Sequence, residues 1–155
     1  MRRSVPLIAS TCLALALAVQ ATAASLPTLL GSNAGPKTGF FVRPAEIVYT
    51  GDGTGILGGF DRKAHGPFGR LTWSSWSATR ALGSGAVWLD DCNPSCAAGR
   101  FSPYAVKVQA FRPVGGHFTR LTFTYTYKGK VVTDRWGLQH LKGAGWSYQR
   151  VKYLS

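Results

Sequence analysis

With 155 residues, 18 Lys and Arg against 6 Asp and Glu, and a formal charge of +12, the chain has the length of one domain with a modest core. Its cation excess favours anionic partners such as nucleic acid, acidic wall polymers or anionic lipid surfaces, and it bears on solubility and association rather than on fold or chemistry. Nineteen glycines and eight prolines interrupt the sequence at short intervals, and no stretch keeps a long 3.6-residue period, so a helical architecture is excluded.

Arg2 and Arg3 precede the apolar run CLALALAV (12–19) and then QATAAS, with small residues at Ala21 and Ala23. This order predicts a secretory signal peptide over residues 1–23, cleaved after Ala23. The apolar run is shorter than the roughly 20 residues of a spanning helix. Cys12 opens the run instead of following it, which does not fit a lipid-modified cysteine at the cleavage point. Cleavage takes the 155 residues to 132 and, with Arg2 and Arg3 gone, the charge from +12 to +10. No later segment is long and apolar enough to span, so the expectation is a secreted, extracellular chain without an integral membrane segment after cleavage.

Residues 24–40 mix Gly, Pro, Ser, Asn and Thr without a sustained period and are expected to form a flexible leader into a β domain over 41–155. AEIVYT (45–50) reads as a strand, and GDGTGILGG (51–59) follows it with a formal G-x-G-x-x-G at Gly53, Gly55 and Gly58. A dinucleotide fingerprint needs those glycines to open a helix within a βαβ unit. Here FDRKAHGPFGR follows, with Gly, Pro and charges where an amphipathic helix is required, so the run is expected to be a turn between strands, with no cofactor. A calcium loop fits no better, because Asp52 has neither alternating oxygen ligands nor a downstream bidentate Glu.

GRLTWSSW (69–76), GAVWLDD (85–91) and YAVKVQAF (104–111) are further strand candidates. Between the second and third lies DDCNPSCAAG, where Asn93, Pro94 and Ser95 are turn formers able to bring Cys92 and Cys96 within bridging distance. Export favours a local disulfide. A redox pair is normally one residue tighter, and a zinc site needs two more ligands than this neighbourhood offers, so no metal is expected. FTRLTFTYTY (118–127) is the clearest strand: Leu121, Phe123, Tyr125 and Tyr127 alternate with Thr122, Thr124 and Thr126. Lys128-Gly129 then predicts a tight hairpin turn, with Gly129 at positive φ, into KVVTDRW, and GWSYQRV (145–151) supplies a last strand. The expected fold is all-β, a single small antiparallel sandwich or barrel of about seven strands with a local disulfide.

TGDG (50–53), TWSSWSATRALGSG (72–85), DDCNPSCAAGRF (90–101), YAVKV (104–108) and FTRLTFTY (118–125) occur in this order. In this the chain resembles a group of small secreted proteins common in high-GC Gram-positive soil bacteria, which carry a G-D-G turn, W-S-S-[WY], A-x-G-x-G, C-x-P-x-C-A-x-G and an [FY]-T-R-L strand. The resemblance covers most of 50–125 and singles out Gly51, Asp52 and Gly53, Trp73 to Trp76, Ala81, Gly83, Gly85, Cys92, Pro94, Cys96, Ala97, Gly99 and Thr119 to Leu121. It implies export, a β-rich domain and a bridged cysteine pair. The longer spacer FDRKAHGPF (60–68) departs from the pattern.

Catalytic candidates are His65, His117 and His140 with Glu46, Asp52, Asp61, Asp90, Asp91 and Asp134, but no G-x-S-x-G elbow or H-E-x-x-H motif organises them. Asp90 and Asp91, adjacent in a strand, point to opposite faces. Binding candidates are aromatic and cationic. Trp73 and Trp76, three apart in a strand, are expected on opposite faces, one in the core and one available to stack on a base or sugar ring. Arg112, Arg120, Lys128, Lys130, Arg135, Lys142, Arg150 and Lys152 crowd the C-terminal third, where antiparallel strands can bring several to one face. The expected function is an exported non-enzymatic β-domain binding an anionic polymer, wall polymer or nucleic acid, at or outside the cell envelope. The alternative is a small secreted hydrolase acting on such a polymer.

Overall fold

The structure, a computed structural model, describes residues 25–33, 37–51, 53–59 and 69–151. Residues 1–23, where a signal peptide is expected, the spacer 60–68, Asp52, Asp61, His65 and Lys152 lie outside the described residues. Ten strands follow in chain order: β1 Leu29–Gly31, β2 Gly39–Phe41, β3 Glu46–Val48, β4 Gly55–Gly58, β5 Thr72–Trp76, β6 Arg80–Asp90, β7 Phe101–Val114, β8 His117–Tyr127, β9 Lys130–Leu141 and β10 Gly145–Arg150. No helix occurs among the described residues, and the fold is all-β, as the short alternating segments predict.

Seven strands make one antiparallel path in the order β10-β9-β8-β7-β6-β4-β3, curled into a half-barrel. β7 pairs along one whole edge of β6, while β4 takes Val87–Leu89 and β5 takes Ala81–Ser84 on the other edge, end to end. The core fills the concave face. On β8 the inward Leu121, Phe123 and Tyr125 are buried and the intervening threonines partly exposed, which is the alternation of a half-buried strand. Lys128 and Gly129 both take positive φ (48° and 74°), so β8 and β9 join through the two-residue turn whose twist suits a hairpin.

The N-terminal segment differs from the expected leader. Leu29 is fully buried, β1 pairs with β2 to make a second small sheet, and β1 also bridges to β3 through Ser32 and Glu46 and to β8 through Thr28 and His117. The Tyr148 hydroxyl on β10 donates to the Leu30 carbonyl at 3.1 Å. β3 and β10 are the two edges of the curled sheet, so β1 spans its open side. A strand of three residues flanked by Gly, Ser and Asn carries no readable period, and tertiary contact decides it.

The glycine-rich run is an antiparallel turn and strand. The Gly53 amide donates to the Thr50 carbonyl at 3.2 Å, the Gly55 amide to Thr50 Oγ1 at 2.8 Å, and β4 then lies between β3 and β6. Its glycines serve turn and close sheet packing.

Candidate functional site

Trp73 and Trp76 fall on the same side of β5, because the register against β6 shifts between Trp73 and Ser75 and leaves Ser74 as an extra residue. Such a bulge breaks the period of two on which the opposite-face expectation rests. The two rings meet edge to face at 4.8 Å within the core cluster. Each indole N–H donates at 2.8 Å, Trp73 to the Pro44 carbonyl and Trp76 to the Pro27 carbonyl. Both are structural anchors of the N-terminal segment rather than stacking platforms.

The cationic candidates separate into two groups. Lys128 sits in the β8–β9 turn with its ammonium 5.1 Å from the Tyr127 ring centre, and Lys130 is exposed at the start of β9. Arg112, Arg120 and Arg135 belong to the other half of the sheet. From Arg120 to Lys128 along β8 is roughly 25 Å, so the candidates do not make one compact site.

The outer face of β6–β9 does gather cations, including two that the linear sequence does not link to the rest. Cross-strand registers align three rows: Arg80–Phe111–Arg120–Gly137–Gln149, Leu82–Gln109–Thr122–Arg135 and Ser84–Lys107–Thr124–Thr133. Arg80, Lys107 and Arg135 are exposed, and Arg120 is half-buried. The Arg120 guanidinium lies flat across the strand, donating to the Thr119 carbonyl at 3.1 Å. Gly137 permits this, since a Cβ there would stand 2.9 Å from the guanidinium nitrogen. Thr124 and Thr133 hydroxyls meet at 3.1 Å beside Lys107. No carboxylate stands in the three rows. Toward β4 the outer face turns apolar, with Ile56, Ala86 and Trp88 buried together.

Asp134, the carboxylate of β9, faces inward and is buried. It accepts from Arg150 Nη2 at 2.8 Å and from the Tyr125 hydroxyl at 3.1 Å. Burial, followed by the Asp134 charge, pushes the Tyr125 phenol up to about 12. Burial likewise raises the Tyr49 and Tyr148 phenols above their ordinary value. These groups hold their protons at neutral pH, and Tyr125 and Tyr148 serve as donors in the core.

Asp90 and Asp91 cap the loop between β6 and β7. Asp90 accepts the Cys92 amide at 2.9 Å. Asp91 accepts the Arg100 and Asn93 amides at 2.9 and 3.1 Å, and these bonds, Arg100 first, hold its carboxyl below the ordinary value. Cys92 and Cys96 form the expected disulfide in the same loop. Neither His117 nor His140 pairs with a carboxylate, and no three His, Cys, Asp or Glu side chains gather into a metal site, among the described residues.

The two histidines instead join a ring cluster at the rim of the concave face. Phe40 of β2 stacks on His117 of β8 at 3.9 Å and meets Trp146 of β10 edge-on at 5.8 Å. His140 of β9, the register partner of Trp146, stands 5.1 Å from it. Thr28 Oγ1 lies 2.6 Å from His117 Nδ1. Sequence reasoning finds the histidines and not their partners, because Phe40 lies 77 residues from His117 and only the closure by β1 and β2 brings them together. No helix among the described residues is long and apolar enough to cross a membrane. Compared with protein-family models, curated proteins and solved structures, the chain matches none, so the reading of its site rests on its own geometry.

Proposed function

We propose that the protein is an exported, non-enzymatic β-domain that binds an anionic polymer, wall polymer or nucleic acid, at or outside the cell envelope. The observation that carries this reading is the outer face of β6–β9, where Arg80, Lys107, Arg120 and Arg135 share cross-strand rows without a carboxylate while Asp134 is turned inward onto Arg150. Cations fixed on a rigid sheet neutralise successive charges of a polymer and release its counterions, which makes such binding steeply dependent on salt. The expected signal peptide, the resemblance to small secreted proteins and the Cys92–Cys96 disulfide fit an exported chain.

The test is retention on RNA, DNA and isolated wall polymer as salt is raised, with each polymer checked for degradation. Wild-type protein is expected to bind one of them at low salt. Replacing Arg80, Lys107 and Arg135 together by Ser is expected to lower the slope of log K against log salt by about 2–3 and to leave folding intact, since all three are exposed. Absence of binding at low salt, or an unchanged slope, removes the reading. Degradation of any polymer replaces it with the hydrolase.

A further inference from the structure

Trp146 is 44% exposed although a core aromatic in this small domain would be expected to bury itself. It is nevertheless held on three sides, by Phe40, His117 and His140, which belong to three different strands. His140 is exposed and makes no hydrogen bond among the described residues, and the Nδ1 of His117 is already engaged by Thr28, leaving its Nε2 as the free ring nitrogen there. The rim thus presents one half-exposed indole, held by rings that meet it at 56–84° and bordered by imidazole nitrogens able to form hydrogen bonds. The described cation rows lie on the opposite face of the sheet. A single half-exposed indole is far smaller than the roughly 800 Å² per partner of a stable protein interface, so a second protein chain is a poor occupant.

We infer that the Phe40–His117–His140–Trp146 cluster is a sugar-binding site that takes one pyranose ring of a neutral glycan, the ring's C–H face stacked on Trp146 and its hydroxyls bonded by His140 and His117. A pyranose combines an apolar face with a polar rim, which is the combination this cluster offers. The site is independent of the outer cationic face, and its ligand carries no charge. Lys142, in the turn joining β9 and β10, makes a nucleotide the competing occupant, with its base on the indole and its phosphate on the ammonium.

The full chain is titrated calorimetrically with cellohexaose, with chitohexaose and with oligothymidylate, at salt high enough to screen the outer face. One of the two neutral hexasaccharides is expected to bind. Trp146→Ala should weaken it roughly tenfold, Trp146→Phe less, His140→Ala measurably, and Arg135→Ser not at all. His140→Ala serves as the second readout should Trp146→Ala fail to fold. The inference is overturned if neither saccharide binds, or if the Trp146 and His140 variants both stay within about twofold of wild type. Binding of oligothymidylate alone, lost with Trp146, likewise overturns it in favour of the nucleotide.

Discussion

Tyr125 shows how one side chain ties pH to stability. Its phenol is buried against the Asp134 carboxylate and ionises near 12, whereas in the unfolded chain it ionises near 10, the ordinary value. Between those values the unfolded chain has released the proton and the folded one has kept it, so rising pH favours unfolding. The stabilising contribution is complete below about pH 10 and is lost as pH climbs through about 12. Tyr49 and Tyr148, raised in the same direction, add to the effect. Denaturant midpoints measured across this range should fall together with the rise in phenolate absorbance. In Asp134→Asn, with the charge removed, Tyr125 should ionise at lower pH, and a phenolate titration unchanged by that substitution would contradict the assignment.

At the scale of elements, β1 does more than its three residues suggest. Leu29 is wholly buried beneath the open side of the half-barrel, and Trp76, Tyr148 and the Phe118 amide all bond to backbone carbonyls between residues 27 and 30. Leu29→Ala should therefore cost about 2–5 kcal/mol, against less than about 0.5 kcal/mol for Lys37→Ala on the exposed link to β2, as measured by urea denaturation at unchanged m. The six longer strands, β5 to β10, are legible in the sequence because β-branched and aromatic residues alternate there over five or more positions. β8, with Leu121, Phe123 and Tyr125 set against its threonines, is the plainest case. β1, β2 and β4 are not legible, being short and rich in Gly, with their burial supplied by strands far along the chain. The same gap hides the site. Lys107 is visible as a strand residue, but its alignment with Thr124 and Thr133 depends on which strands are neighbours and in which register. The bulge at Ser74 changes the reading of Trp73 and Trp76 because one unpaired residue reverses the face of everything beyond it.

For the molecule as a whole, the core and the covalent bridge are separate devices. Cys92 and Cys96 close a five-residue loop beyond the end of β6, in a segment whose residues are mostly exposed, while the larger packed cluster belongs to the concave face. A loop that short contributes about 2 kcal/mol in the chain-entropy account. Reduction is thus expected to lower the melting temperature by several degrees and to leave a cooperative transition; a reduced protein without one would place the bridge among the supports of the core. The loop keeps much of its shape from Asp90 and Asp91, whose bonds to backbone amides do not depend on the sulfurs.

The hydrogen bond from Tyr148 to Leu30 joins residues 118 apart in the chain, and with it β1 meets the edge formed by β10. A fold closed by its two ends cannot finish while either end is withheld. Local hairpins such as β8–β9 can form early, yet the first strand has no core to enter until the last has emerged, and the entropy of closing so long a loop is spent before the packing that offsets it is made. The chain is consequently a late closer: hairpins can form before then, but β1 docks and resistance to proteases is gained in a single step only once Tyr148 is in place.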